Sequence, residues 1–335
     1  MRNPRQMAKR TSSSYSIDVV IVAYNRWDLT RSCLTHLGAQ SAPHHVIVVD
    51  NGSTDDTRRL LRSEFPDVQL IEIDRNSAFA IACNRGVNAG RGEIVVLLNN
   101  DVDCRPDFLA RLVAPLEAGP DLGSVVPLLL QPGETAIDSL GLACDRTLAP
   151  FPRHHGLPAR QAVDSEPVLA CPVGAAAAYR RAAWEQVGGL DEQIFAYGED
   201  FDLGLRTRAA GWGTAAAPDA IGIHVGSATH GLRSAWQRRN GGFGRGYLLR
   251  RYGVIRSRAA ARALLTEAIV VVGDALISRD LEAFKGRLEG WRAARSGPRL
   301  PVPSEALDRG ITFAESLRLR RMVYRRAGES AAATA

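Results

Sequence analysis

The stretch LLNNDVDC, residues 97–104, closes an apolar run that begins at Ile94 and ends abruptly in two amides and two carboxylates. A short apolar run bounded by turn residues predicts a buried strand. Polar groups at the carboxyl end of such a strand sit where α/β sheets hold their ligands. Carboxylate and amide oxygens are hard donors that suit Mg²⁺ or Mn²⁺, and those ions suit diphosphates. The stretch therefore points to a metal–nucleotide loop. The alternative is an Asx-rich turn that only caps a helix after Pro106.

The flanking sequence alternates strand and helix patterns. Residues 17–23 predict a strand and 27–37 a helix; residues 46–49 predict a second strand ending at Asp50. Asn51-Gly52-Ser53 is a turn, and Thr54-Asp55-Asp56 carries the capping chemistry that opens a helix. A third strand over 68–73, a helix over 78–89 ended by Gly90 and a fourth strand over 93–98 follow. Strands alternating with helices imply parallel βαβ units, a Rossmann-like nucleotide-binding half over 17–130. No GxGxxG follows the first strand, which weakens a dinucleotide reading.

Residues 131–167, rich in Pro, Gly and His, predict a long irregular insertion facing substrate or forming a lid. Order resumes at Val168, with a small-residue strand over 172–181 and a short helix over 182–187 stopped by Gly188-Gly189. A helix that starts in acids spans 199–210, and strand-like pieces lead to His224.

With 335 residues, 45% hydrophobic and 23% charged, the chain reads as globular, long enough for one large domain or two smaller ones. The division expected is a disordered tail over 1–16, a domain over 17–230 with halves 17–130 and 131–230, a basic, mostly helical region over 231–327, and a disordered tail over 328–335. The formal charge of +6 favours an acidic partner such as a nucleotide or a lipid head group. Only Lys9 and Lys285 are lysines, so the positive charge is nearly all Arg. The five cysteines are scattered without a CxxC pair, which argues against a disulfide framework or a zinc site and suggests a reducing cytoplasm. Residues 1–16 lack the apolar core of a signal peptide, and no run reaches the roughly 18 residues needed to span a bilayer.

From Ala220 to Thr266 there is no Asp or Glu but there are nine Arg, with Trp236, Phe243, Tyr247 and Tyr252 among them. This is either a solvated basic face or a surface that docks on anionic lipid at the inner face of the membrane. No nucleic-acid-binding motif accompanies the charge, so nucleic acid is not the expected partner.

Four polar clusters stand at strand or loop ends: Ala23-Tyr24-Asn25-Arg26, Asp50-Asn51-Gly52-Ser53, Asn99-Asn100-Asp101-Val102-Asp103 and Tyr197-Gly198-Glu199-Asp200. The first three fall on one edge of a parallel sheet. An acid after the second strand can hold a ribose or base, and an acid after the fourth can hold a metal on a diphosphate. A later acid pair can serve as general base.

The chain resembles a family 2 glycosyltransferase of GT-A fold, in the rhamnosyltransferase-like branch. The matching stretches are VVIVAYNR (19–26), VIVVDNGSTDDT (46–57), NSAFAIACNRG (76–86), LLNNDVD (97–103), GAAAAYRRAAWEQVGGLDE (174–192) and FAYGEDFDLGLRTRAAG (195–211). The resemblance covers about 17–230 and implies an α/β fold, a Rossmann-like mixed sheet flanked by helices, with a helical C-terminal extension. It also implies an inverting, metal-dependent transfer of a sugar, rhamnose being the branch's most usual one, from a dTDP- or UDP-sugar to a lipid-linked or cell-surface saccharide. A small secondary metabolite as acceptor, or a sugar-nucleotide-binding protein without turnover, are the rival readings.

By the same resemblance Asp50 contacts the donor's base or ribose, and Ala23, Tyr24 and Asn25 line that pocket. Asn76 and Asn84 flank the nucleotide, and Asn99 and Asn100 complete the donor loop. Asp101 matches the metal-binding acid, with Asp103 a weaker partner, and His224 resembles a late His that completes the shell around Mg²⁺ or Mn²⁺; His230 is the fallback. Asp200 is the expected general base and Glu199 the second choice. Two departures stand out: Asn99 replaces the first Asp of the usual Asp-x-Asp, and Ala78 stands where the family usually has Gly, a strained choice if positive φ is needed there.

Overall fold

Four parallel strands form one half of the sheet. They are β1 (Ile17–Ala23), β2 (His45–Asn51), β3 (Gln69–Ile73) and β4 (Ile94–Asn99), in the order β3-β2-β1-β4. The computed structural model describes residues 16–162, 168–226 and 234–320. Residues 1–15 and 321–335, which hold nearly all of both expected tails, and His230 lie outside the described residues.

Alternation within each strand sorts side chains to two faces. Val19, Ile21, Val96 and Leu98 pack with Leu34 and Leu37 of α1 (Trp27–Gly38) on one face. Val20, Val49 and Val95 pack with Ala80, Cys83 and Val87 of α3 (Phe79–Ala89) on the other. Both faces are covered, which explains why these strands read as continuous apolar runs. A short helix, α2 (Thr57–Glu64), joins β2 to β3.

After β4 the parallel pattern stops. Asn100 and Asp101 turn the chain into β5 (Val102–Cys104), which pairs at the opposite end of the sheet. The helix α4 (Phe108–Ala118) leads into β6 (Leu122–Leu130). Later come β10 (Ala176–Arg180), α5 (Arg181–Val187), α6 (Glu199–Ala209) and β11 (Gly213–His224). The full order is β3-β2-β1-β4-β10-β6-β11-β5, a mixed sheet. The small-residue strand β10 inserts antiparallel between β4 and β6, and β11 runs parallel to β6 and antiparallel to β5.

The segment expected to be irregular is partly ordered over its described residues, 131–162. It holds β7 (Ile137–Ser139) paired to β6, the hairpin β8 (Leu142–Cys144) with β9 (Pro150–Pro152), and a buried apolar set including Ile137, Leu140, Leu142, Leu148 and Phe151. Three-residue strands carry too few positions to show a period of two. Asp103 does not cap a helix either: α4 begins at Phe108 with Asp107 in the N-cap position.

The C-terminal part contains α7 (Ala235–Arg251), α8 (Ala260–Ser278) and α9 (Glu282–Ala293). Leu248, Tyr252 and Ala263 share a core with Phe201 and Leu205 of α6 and with Leu142 of β8, so these helices pack onto the part of the fold that holds α6 and β8. α7 and α9 meet along glycines. A Cβ on Gly286 would stand 1.9 Å from the Arg239 carbonyl oxygen, and one on Gly290 equally close to that of Phe243.

The basic stretch resolves differently from the expectation of a solvated or lipid-facing charge. Arg238 binds Asp274 and Asp280, Arg239 binds Glu282 and Glu289, and Arg245 binds Glu267. The acids missing from 220–266 are supplied by the next two helices. Arg262 likewise meets Asp145, whereas Arg256 and Arg258 stay exposed.

Candidate active site

The three loops at the carboxyl edge of β1, β2 and β3 are tied together by side-chain amides. Asn25 Oδ1 accepts the Thr54 N–H at 2.8 Å, and the Asn25 backbone N–H donates to Ser53 Oγ at 2.8 Å. Asn51 Oδ1 accepts the Ser77 N–H at 2.9 Å, while its amide nitrogen donates to Asn76 Oδ1 at 3.1 Å. Asn25 and Arg26 take left-handed backbone, which turns the chain from β1 into α1. Ala78 has φ −57°, an ordinary extended value, so the Ala in place of Gly carries no backbone strain.

Asp50 is fully buried at the end of β2, in register with Ala23 of β1. Arg58, from α2, holds its Oδ2 through Nε at 2.8 Å and Nη2 at 2.5 Å. The other oxygen, Oδ1, is buried without a hydrogen-bond partner. A buried acceptor left unmatched costs about 1–3 kcal/mol, so Oδ1 is a natural seat for a donor from a ligand. Arg58 carries no sequence motif; its only signal is its place in the first turn of a helix that follows Asp50.

On β4, Val22 of β1 pairs with Asn99, which sets Asp50 and Asn99 two strand spacings apart, about 10 Å. Beyond Asn99 the turn places Asp101 against the end of β11. The register His224↔Val102 brings this about, and the Val225 and Gly226 N–H groups donate to the Asp101 carbonyl and Oδ2 at 3.0 and 3.2 Å. His224 Nε2 lies 3.5 Å from Asp101 Oδ1. His224 Nδ1 lies 2.8 Å from Asp138 Oδ2, in β7. Burial pulls the imidazole pKa down, but Asp101 and Asp138 outweigh it and raise it to about 10. Burial also opposes ionisation of Asp101, yet the His224 contact leaves its carboxyl below the usual range.

These residues fit a divalent ion that shares its shell with a diphosphate. Asp101 Oδ1 is a buried carboxylate oxygen without a hydrogen-bond partner. His224 faces it with a ring oriented by a carboxylate, the usual support of a metal-binding His. Among the described residues no group of three or more His, Cys, Asp or Glu forms a closed cage. Two protein ligands with phosphate oxygens completing the shell is the pattern Mg²⁺ adopts on nucleotides.

Asp103, expected as a further ligand, turns away to the α1 face. It accepts from Ser32 Oγ at 3.0 Å and lies 3.3 Å from His36 Nδ1. The period of two along β5 forces this, because Val102 and Cys104 on its other face are buried. Asn100 likewise donates to Thr30 Oγ1 at 2.9 Å, and Asn84 binds the N–H and carbonyl of Leu190, each at 3.0 Å. Asn100 fastens α1, and Asn84 fastens the 190–198 loop onto α3. Their amides are not free to line the donor pocket as expected. Tyr24 is half-buried beside Asn25.

The acid pair opens α6 after two left-handed residues, Tyr197 and Gly198. Asp200 accepts the Gly174 N–H through Oδ2 and the Phe201 N–H through Oδ1, both at 2.7 Å. Gly174 is next to Ala175, whose carbonyl accepts the Asn99 N–H at 2.8 Å. The donor loop and the acid pair are therefore bridged by two consecutive residues. Glu199 is buried and its Oε2 has no hydrogen-bond partner. Burial first, and then the Asp200 charge, push the Glu199 carboxyl up to about 8. Burial also raises Asp200, against which the Gly174 and Phe201 N–H groups act.

The mixed sheet is the GT-A fold. Its solved counterparts include GalNAc-T7 with UDP, GalNAc and Mn²⁺, at TM-score 0.58 and 14% identity, covering 76% of this chain and 50% of that one. They also include the mannosyltransferase PcManGT from Pyrobaculum calidifontis in complex with GDP-Man and Mn²⁺, at TM-score 0.52 and 20% identity, covering 96% and 86%. The chain thus spans half the length of the GalNAc-T7 chain.

The family profile described as Glycosyl transferase family 2 matches residues 18–188, just over half the chain, and that of Glycosyl transferase family group 2 matches residues 143–278. The chain belongs to glycosyltransferase family 2. Among its relatives is an N-acetylglucosaminyl-diphospho-decaprenol L-rhamnosyltransferase of Mycobacterium tuberculosis, 31% identical over 233 residues, covering 62% of this chain and 75% of the relative. The succinoglycan biosynthesis protein ExoO of Rhizobium meliloti is 35% identical over 104 residues, covering 30% of each chain.

Proposed function

We propose that this glycosyltransferase moves a sugar, with rhamnose as the leading candidate, from a dTDP- or UDP-sugar to a lipid-linked or cell-surface saccharide, with inversion at the anomeric carbon. The observation that carries the reading is the Asn99–Ala175–Gly174–Asp200 bridge, which fixes the acid pair beside the donor loop. The rhamnosyltransferase relative, whose name states a diphospho-decaprenol acceptor, supports the acceptor class.

In this reading Asp50 Oδ1 accepts a hydrogen bond from the donor's base or ribose, and Arg58 keeps the carboxylate in place. Asp101 and His224 hold the divalent ion, which when bound stabilises the charge developing on the leaving diphosphate. Asp200 accepts the proton of the acceptor hydroxyl as that oxygen attacks the anomeric carbon from the side opposite the diphosphate. Glu199, its proton retained by burial, leaves one negative charge rather than two in the pair. One base and one displacement invert the configuration without a covalent enzyme intermediate.

Nucleotide release measured with a panel of dTDP-, UDP- and GDP-sugars, with and without Mn²⁺ or Mg²⁺, tests the proposal. Turnover of a dTDP- or UDP-sugar that requires the divalent ion is expected. Turnover confined to GDP-sugars, or equal rates in a chelator, would overturn the donor or the metal assignment respectively.

A further inference from the structure

Helix α8 is packed inside out. Thr266, Glu267 and Asp274 are buried, whereas Leu265, Ile269, Val272 and Leu276 stand exposed at intervals of four, three and four residues. That spacing is one continuous helical face. Leu276 is 75% exposed. Of the fourteen large apolar side chains that stand exposed among the described residues, nine fall between 264 and 288, on α8 and the start of α9. Scattered exposed leucines need no explanation, but a contiguous apolar patch marks an interaction surface.

The inward polar face has its own cause. Glu267 binds Arg245, Arg287 and Arg320, and Asp274 binds Arg238, so the polar side of α8 is spent neutralising the arginines beneath it. Only the apolar side remains to face outward.

We propose that the outer face of α8 and the start of α9 docks on an anionic phospholipid bilayer, lying in the interface with its leucines among the acyl chains. Charge selects this occupant. Apart from Glu289, which is paired with Arg239, the exposed charged residues from 254 to 300 are cationic, beginning with Arg256 and Arg258 before α8 and including Arg279 at its end and Arg292 on α9. An apolar face rimmed by cations is what an interfacial helix presents to anionic lipid. A second copy of the chain would set the same cations against each other.

Continuity with the site points the same way. A cavity of about 330 Å³ is lined by Tyr197 and Gly198, just before the acid pair, and by Val270 of α8 and Ala283 of α9. The docking face therefore adjoins the cavity behind the acid pair. Its use for a lipid-linked acceptor rests on the reading above; its binding to lipid does not.

Flotation of the full chain with vesicles of phosphatidylglycerol and phosphatidylethanolamine, against vesicles of phosphatidylcholine alone, tests the proposal. The chain should float with the anionic vesicles at low salt. Leu265→Gln with Leu276→Gln should cut the bound fraction about tenfold, and Arg256→Ser with Arg258→Ser should make binding fail at lower salt. These side chains are exposed, so the variants should fold. Failure of the parent chain to float with anionic vesicles would overturn the proposal. So would a dimer in lipid-free solution that the paired Gln variant converts to monomer. Nucleotide release, assayed in parallel, separates the two claims: lost flotation with retained turnover sinks only the docking face, and flotation without turnover sinks only the enzymatic reading.

Discussion

Asp138 Oδ2 lies 2.8 Å from His224 Nδ1, although 86 residues separate them in the chain. The carboxylate comes from a three-residue strand in a segment whose sequence reads as loop. It fixes which ring nitrogen of His224 faces Asp101. The backbone carbonyl oxygen of Asp138 meets a second histidine, with His155 Nδ1 2.7 Å away.

Replacing Asp138 by Ala should weaken Mn²⁺ binding about 10–100-fold, the usual effect of losing the carboxylate behind a metal-binding His. Mn²⁺ titration in the presence of UDP, followed by the ion's paramagnetic resonance signal, measures this. Unchanged affinity with an unchanged fold would reduce Asp138 to a packing role.

Asp200→Asn should lower kcat for transfer by about 10²–10⁴ while leaving donor affinity near its starting value. Asparagine keeps one oxygen, which can accept from only one of the Gly174 and Phe201 N–H groups, so a thermal melt run beside the assay should show that the loop holds its shape. Transfer rates alongside calorimetric binding of the nucleotide test both halves. Full activity in this variant would refute the base assignment.

Glu199 links the acid pair to stability. Its folded pKa is raised from 4.5 to about 8, so the folded chain binds the extra proton between those values. Stability should therefore fall as pH rises from about 4.5 towards 8 and level off above, on this residue's account. Glu199→Gln should remove that component and raise the melting temperature by a few degrees at pH 8.5 but hardly at pH 4.5. A thermal melt series across this window decides it; parallel curves for the two proteins would contradict the buried-proton account.

Arg58→Met should leave the buried Asp50 carboxylate without its cation. A loss of about 2–3 kcal/mol is expected, below that of a fully buried pair because Arg58 stays 29% exposed on its side chain. Urea unfolding measures it. The nucleotide should also bind more weakly, since Asp50 Oδ1 would no longer be held in place; unaltered nucleotide affinity would argue that Asp50 is structural only.

The parallel half of the fold was legible because β1, β2 and β4 are largely buried and read as apolar runs, each ending in a polar turn; β3, with Gln69 and Glu72, is the least apolar of the four. Asp50, Asp101 and the 199–200 pair could be picked out as candidates because they sit at ends of elements, within motifs of fixed spacing. The rest depends on pairings distant in sequence. Nothing near Ala176 indicates that β10 will enter antiparallel between β4 and β6, and nothing near Asp138 points to His224. Arg238, Arg239 and Arg245 read as free charge because their acid partners begin only at Glu267. Asp103 lies in the same loop but turns to the α1 face, a placement set by the pleat of β5 and not by the motif.

At Gly242, Gly246, Gly286 and Gly290 the contact between α7 and α9 has no side chain to rearrange, because each of these glycines meets carbonyl backbone directly. In a side-chain interface an added methyl can be absorbed by a rotamer change; here it has to separate two helices. For directed evolution of this enzyme, Gly242, Gly246, Gly286 and Gly290 form a frozen set that a library should leave untouched. The exposed face of α8, free of such contacts, is where new surface preferences can be sampled without separating those two helices.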